Sequence, residues 1–177
     1  MREENDKTDK SDRTDKRVDR SPEELEGLVG TAKDLLRELV EKMGFDAKVE
    51  GAVEDGGIRL DVDGPDSALL IGKKGQTLDA IQFLMSRMVS HAAGDRVPLV
   101  VDVEGYRARR EESLSNMAKK LADEAVALGK VITFDPMTPR ERRVIHMALA
   151  GRTELETKSQ GEGSDRRVQI IPLKPRS

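Results

Sequence analysis

Two strong helix-start signals set the framework on which this chain must fold. Ser21 is followed three residues later by Glu24, and Thr138 is followed three residues later by Glu141, with proline directly after the hydroxyl residue in each case. A hydroxyl at the N-cap, proline at the first helical position and glutamate at the third form a capping box. The sequence therefore predicts one helix that begins after residue 21 and another that begins after residue 138.

The first helix opens a group of six predicted elements. Apolar residues at spacings of three and four predict a helix over 22–43, and Gly44 supplies its stop. Two strands at 47–53 and 58–62, joined by Asp55-Gly56-Gly57, predict a hairpin. A short apolar helix at 67–71, a glycine loop, an amphipathic helix and a strand at 97–103 complete the group.

The second group begins with a long helix at 106–128, which joins the two groups with only Gly105 before it. A strand at 131–134, the helix at 139–149 and strands near 153–157 and 166–171 follow it. The predicted inner stripe of the long helix is Leu114, Met117, Leu121, Ala125 and Leu128. The order of elements indicates an α+β chain with two small domains, at 21–105 and 106–177.

Residues 1–20 alternate basic and acidic side chains with almost no apolar groups, which is typical of a disordered tail. The chain has no cysteine, so it has no disulfide framework and no thiolate zinc site. It shows no apolar run long enough for a membrane helix and no signal peptide at its start. These features indicate a cytoplasmic protein without contact with a membrane.

Charge is unevenly distributed along the chain. Residues 21–105 hold nine Lys or Arg and seventeen Asp or Glu, whereas residues 106–177 hold fifteen and ten. A basic second half favours attraction to phosphate. The acidic first half would need a local basic site to bind the same ligand.

Gly72-Lys73-Lys74-Gly75 supplies such a site between the short helix and the amphipathic helix. Glycine permits backbone angles that other residues avoid and lets a phosphate approach closely, while the helix start after the loop favours an anion. Lys73 and Lys74 add positive charge at the tip of the loop. A plain turn with two solvated lysines is the structural alternative for this pattern.

The glycine loop and the order of elements around it resemble the KH family, in its type II arrangement (α-β-β-α-α-β). That resemblance implies that Gly72, Lys73, Lys74 and Gly75 contact the sugar-phosphate backbone of RNA. It also implies a base groove lined by Leu70, Ile71 and Val101. No aromatic residue lies near the loop, so base stacking should contribute little there and sequence preference should be weak.

Arg142 and His146 are four residues apart on the helix at 139–149, so both side chains project from one face. The guanidinium group can grip a phosphate, and the imidazole can donate a hydrogen bond or stack on a base. Arg140 and Arg143 add charge on the flanks. The alternative is a solvated basic helix whose histidine packs at the edge.

The segment from Pro136 to His146 is similar to the R-three-H domain, a small α/β module that binds single-stranded nucleic acid, and residues 161–168 resemble its closing hairpin. A KH loop followed by an Arg-x-x-x-His helix resembles the Jag family, also called the SpoIIIJ-associated protein. This resemblance implies a bacterial protein that binds single-stranded RNA, with single-stranded DNA as an alternative. It implies a post-transcriptional regulator or RNA chaperone-like factor, with a small KH-domain protein as a partner. Many members carry an additional N-terminal domain, whose place is taken here by the charged tail.

Arg107, Arg109 and Arg110, at the start of the long helix, are further candidates for phosphate contact. Pairing of these side chains with Glu111 and Glu112 on a solvated helix face is an equally good interpretation.

Two other classes of function compete with nucleic-acid binding. The sequence offers no set of residues for nucleophilic catalysis, because His91 and His146 lie in different predicted elements and no serine lies in a nucleophile elbow. No metal-ligand spacing or nucleotide-hydrolase loop is present, so we expect no catalytic residue, no metal and no cofactor. A protein-interaction adaptor, in which the KH surface binds a partner protein, stays open as the alternative function.

Overall fold

The computed structural model describes residues 20–173, which fall into two compact units that divide between Glu104 and Gly105. The predicted disordered tail, residues 1–20, lies outside the described residues except for Arg20. The guanidinium group of Arg20 donates to the Ala93 carbonyl oxygen at 3.2 Å. None of the helices in the described range is long and apolar enough to cross a bilayer.

In its described part, from residue 20 to Glu104, unit 1 contains three α-helices and three strands. They are α1 (Pro22–Lys42), β1 (Lys48–Glu54), β2 (Gly57–Asp63), α2 (Ala68–Ile71), α3 (Gln76–Ala92) and β3 (Leu99–Val103). The predicted capping box opens α1, where the backbone N–H of Ser21 donates to the Glu24 carboxylate at 2.9 Å and the Glu24 N–H donates to the Ser21 hydroxyl at 3.3 Å. The order of these elements is the one expected from the sequence.

The sheet of unit 1 has the order β1-β2-β3, with β1 and β2 antiparallel and β2 and β3 parallel. Asp55 and Gly56, which join β1 to β2, both have positive φ, at 50° and 72°. Positive φ at both central residues is the mark of a tight type I′ hairpin turn. The core lies between this sheet and helices α1 and α3, and its fully buried side chains include Leu25, Leu36, Leu60, Leu78 and Met85.

Unit 2, which begins at Gly105, is built from α4 (Tyr106–Leu128), β4 (Ile132–Thr133), α5 (Pro139–Leu149), β5 (Leu155–Gln160) and β6 (Arg167–Pro172). Its sheet has the order β4-β6-β5 and is antiparallel throughout. Helices α4 and α5 pack on one face of this sheet, where Ile145, Val168 and Ile170 are fully buried. The two units together confirm the predicted α+β class.

The inner stripe of α4 differs from the predicted one. The buried residues are Leu114, Ala118, Ala122 and Ala125, whereas Met117 and Leu128 are 44% and 57% exposed. Alanine lets a helix approach its neighbour closely, and α5 packs against α4 along this face. The prediction that the large apolar side chains mark the buried face was therefore wrong for Met117 and Leu128.

Candidate nucleic-acid interface

The backbone of the glycine loop in unit 1 is unusual at three of its four residues. Gly72, Lys74 and Gly75 have φ of 69°, 55° and 84°, all in the left-handed range. Gly72 also has ψ of −171°, a combination that is essentially restricted to glycine. A Cβ atom at Gly72 would lie 2.1 Å from the Thr77 hydroxyl oxygen, so no other residue fits there without displacing Thr77.

This backbone sets what the loop offers to a ligand. The N–H of Gly75 donates to the Gly72 carbonyl oxygen at 3.4 Å, and the N–H of Gln76 donates to the Lys73 carbonyl oxygen, so both amides are turned inward. The side chains of Lys73 and Lys74 are exposed on the outside of the turn. The lysine side chains are therefore the main positive groups that the loop presents to solvent.

The predicted base groove fits the structure at only one of its three residues. Leu70 and Val101 have no exposed surface and belong to the core, so neither can contact a base unless the core opens. Ile71 is half-buried. Leu69, which the sequence reasoning missed, is 64% exposed beside the loop. The helical turn of α2 that buries Leu70 turns its neighbour Leu69 outward, a consequence that became visible only once α2 was placed on the core.

In unit 2 the capping box of α5 forms as predicted, with Thr138 as the N-cap and Glu141 as its partner. His146 lies on the flank of α5 that faces β5, and Arg142, one turn earlier, lies on the same side of the helix. One N–H of the Arg142 guanidinium donates to the Met137 carbonyl oxygen at 2.8 Å, which holds the side chain at the start of the helix. An arginine carries five such N–H groups, so this anchor leaves most of its donors for a ligand.

Both ring nitrogens of His146 are engaged by β5. Nδ1 lies 2.7 Å from the Thr157 hydroxyl oxygen and Nε2 lies 2.9 Å from the Ser159 hydroxyl oxygen. Thr157 and Ser159 are two residues apart on the strand and therefore point to the same face. Of the two roles expected for the imidazole, hydrogen-bond donation to RNA is blocked in this arrangement, and stacking through the ring is left.

Partial burial, and secondly the positive charge of Arg142, hold the pKa of His146 below its ordinary value of 6.5. The folded chain therefore takes up this proton at lower pH than the unfolded chain does. The free energy of unfolding should then be at its full value above pH 6.5 and fall as the pH drops toward the lowered pKa. Urea denaturation of wild type and His146→Gln across pH 5–7.5 checks this. The stability of wild type should decline more steeply with falling pH, and parallel curves would contradict the expectation.

The flanking arginines differ in what they contact. Arg140 pairs with Glu111 at 2.5 Å, and Arg110 pairs with the buried carboxylate of Glu141 at 2.9 Å. These two arginines therefore stabilise the packing of α4 against α5, and Arg110 pairs with neither of its acidic sequence neighbours. Arg143 is exposed and has no ion pair within the described part of the chain, which keeps it as a candidate for phosphate contact.

Arg107 and Arg109, the remaining candidates, lie in the first turn of α4. Arg107 is half-buried and Arg109 is exposed. They stay candidates for phosphate contact on the strength of their charge and exposure.

Two known families match separate parts of the chain. Residues 31–101 match the family described as KhpA/KhpB, KH domain, and residues 112–172 match the R-three-H domain. The glycine loop lies in the first match and the Arg-x-x-x-His helix in the second. The chain belongs to the Jag family.

Curated relatives of this Jag-family chain include the RNA-binding protein KhpB of Clostridium symbiosum, which is 39% identical over 132 residues, or 75% of this chain and 59% of the relative. KhpB of Bacillus subtilis is 40% identical over 115 residues, or 64% of this chain and 55% of the relative. KhpB of Lactiplantibacillus plantarum is 34% identical over 137 residues, or 77% and 42%. The chain thus spans about half the length of the relatives it matches.

The matched domains and named relatives of this Jag-family chain are those of RNA-binding proteins and not of an enzyme family. Within residues 20–173, no three His, Asp or Glu side chains lie close enough together to hold a metal ion. The site is therefore best understood as two sets of basic side chains, one in each unit, which could contact a polyanion.

Proposed function

We propose that this chain binds single-stranded RNA through the glycine loop of unit 1 and the Arg-x-x-x-His flank of unit 2. The observation that carries the proposal is the loop itself. Gly72 and Gly75 hold a backbone that other residues avoid, and this backbone exposes Lys73 and Lys74 at the tip of a turn in an otherwise acidic unit. The names of the curated relatives, each an RNA-binding protein, support the same ligand.

The loop would act mainly on the sugar-phosphate backbone. Gly72 has no side chain to hold a phosphate away, and the two lysines supply attraction without reading a base. Leu69 and Ile71 offer apolar surface beside the loop for a base to rest on. Without an aromatic side chain in the loop, each base would gain little from stacking, so the affinity should depend little on sequence.

The flank of α5 would hold a second part of the strand. Arg142 is anchored by Met137 in one direction and can donate its other N–H groups to a phosphate, with Arg143 next to it. The ring of His146, fixed by two hydroxyl groups, can serve as a stacking surface for a base. Because imidazole presents a smaller face than tyrosine or tryptophan, we expect this contact to be weaker than typical aromatic stacking.

The cellular role that fits these contacts is that of a bacterial, cytoplasmic post-transcriptional regulator or an RNA chaperone-like factor. Weak sequence preference and attraction through phosphates suit a protein that acts on many transcripts. The family resemblance and the bacterial sources of the named relatives support this role.

A protein contact is the second candidate function, and one observation favours it. Phe83 and Leu84 on α3 are 60% and 47% exposed, and the Arg87 guanidinium lies 5.5 Å from the centre of the Phe83 ring. An exposed apolar pair of this kind suits an interface with another protein. The small KH-domain protein that the family resemblance implies is the partner we propose for it.

The test is a titration of a short, labelled single-stranded RNA with the full chain at about 50 and about 200 mM salt. Binding that weakens at least tenfold between the two conditions is expected, because release of counterions from several phosphates makes affinity fall steeply with salt. Arg142→Ala should weaken binding about three- to tenfold at the lower salt, as expected for one lost phosphate contact. Single-stranded DNA of the same sequence and duplex RNA serve as comparison ligands. Absence of binding, or binding indifferent to salt, would argue for the protein-contact function instead.

A further inference from the structure

An exposed arginine of unit 2 that lies outside the segment with the Arg-x-x-x-His pattern contacts Met137, the residue that anchors Arg142. Arg166 lies at the end of the turn between β5 and β6 and is exposed. Its carbonyl oxygen accepts a hydrogen bond from the Met137 N–H at 3.2 Å, and the Met137 carbonyl oxygen accepts one from the Arg142 side chain at 2.8 Å. Met137 therefore contacts two arginines that are distant in sequence: its N–H bonds to the backbone of Arg166, and its carbonyl oxygen bonds to the side chain of Arg142.

Strand geometry sets the direction in which Arg166 points. Its backbone is extended, with φ of −71° and ψ of 128°. Side chains alternate along extended backbone, so Arg166 lies on the same side as the buried Val168, which is the side covered by α5. Arg167, between them, lies on the opposite side, and its Nε donates to the Asp165 carbonyl oxygen at 3.2 Å.

Gly161 lies opposite Arg166 across the hairpin. A Cβ atom at Gly161 would lie 3.3 Å from the Arg166 Cα atom, so the two residues face each other across the hairpin. A Cβ atom there would also lie 3.0 Å from the Asp165 carbonyl oxygen, so glycine allows the hairpin to close tightly at this end. Ser159, the next residue of β5 on that side, directs its hydroxyl to His146. Ser159, His146, Arg142 and, by strand alternation, Arg166 therefore share one side of unit 2, with the two arginines at the end nearest the start of α5.

We infer that Arg166 is a phosphate-binding residue of unit 2, which acts with Arg142 on the sugar-phosphate backbone of a single strand. This inference rests on the proposed function and extends it by one specific side chain. Within residues 20–173, no acidic side chain pairs with Arg166, so its charge is not neutralised locally. Met137 holds the guanidinium group of Arg142 and the backbone of Arg166, so the two arginines would flank the place where a strand enters beside His146.

The chain offers a matched control for the test. Arg166→Gln and Arg167→Gln remove the same charge from neighbouring positions, but on opposite sides of the strand. Single-stranded RNA binding by the full chain should weaken about three- to tenfold for Arg166→Gln and about twofold or less for Arg167→Gln. The slope of log affinity against log salt should become shallower by about 0.7 for the Arg166 variant. Both variants should keep the wild-type circular dichroism spectrum and melting temperature, because neither side chain is in the core.

Equal losses in the two variants would overturn the inference, since they would reflect overall charge and not a placed contact. Wild-type affinity in Arg166→Gln, with weakened binding in Arg142→Ala, would also overturn it while the proposed function stands. If wild type itself binds no RNA at either salt, the proposed function and the inference fall together.

Discussion

Replacing Lys73 and Lys74 together by aspartate is expected to weaken single-stranded RNA binding by about 30- to 100-fold at about 0.1 M salt. The loop supplies the exposed positive charge at this point of unit 1, and residues 21–105 hold nine basic against seventeen acidic side chains. The double variant would therefore turn the attraction between loop and phosphate into repulsion. Loss of two phosphate contacts should also reduce the dependence of log affinity on log salt by about 1.4.

A control with the same change in charge separates the loop from the net charge of the unit. Lys42 and Lys48 lie at the end of α1 and the start of β1, and their side chains are 71% and 74% exposed. Lys42→Asp/Lys48→Asp should weaken binding by less than about fivefold, because only long-range attraction is reduced there. If both double variants weaken binding equally, the loop has no specific role. Fluorescence anisotropy with one labelled RNA measures both.

Glu141→Ala is expected to lower the stability of unit 2 by about 3 kcal/mol. Glu141 is only 8% exposed, and its carboxylate accepts three hydrogen bonds. Oε1 accepts from the Arg110 guanidinium at 2.9 Å, and Oε2 accepts from the Thr138 backbone N–H at 3.0 Å and from its hydroxyl at 3.3 Å. Alanine would leave a half-buried guanidinium and a helix N-cap without their acceptor.

Glu111→Ala is the matched control for this prediction. It also removes a carboxylate paired with an arginine, but the Arg140 and Glu111 side chains are 58% and 41% exposed, so the loss should be below about 1 kcal/mol. Hydrogen exchange followed by mass spectrometry over residues 105–173 compares the two variants in the full chain. A similar loss of protection in both would show that burial adds nothing to the Arg110–Glu141 pair.

Local signals in the sequence were sufficient for the order of elements and for the position of the glycine loop. The two capping boxes placed the starts of α1 and α5 at the correct residue, because the hydrogen bonds of a helix start involve only neighbours. The Asp55-Gly56 turn and the glycine loop were predictable for the same reason. Each contains at least one glycine whose positive φ few other residue types accept, whereas the positive φ of Lys74 was not indicated by its residue type.

Contacts between residues distant in the chain were decided only by the tertiary structure. Leu70 and Val101 were predicted to line a groove but lie in the core, and the packed face of α4 proved to be its alanines. The sequence placed Arg142 and His146 on one face, but packing against β5 alone gave the imidazole its two hydroxyl partners. Arg166 lies near Arg142 because its carbonyl oxygen accepts a hydrogen bond from Met137, a residue distant from it in sequence. The periodicity of a helix or strand predicts which side chains share a face. The elements that pack against that face decide which of those side chains remain available to a ligand.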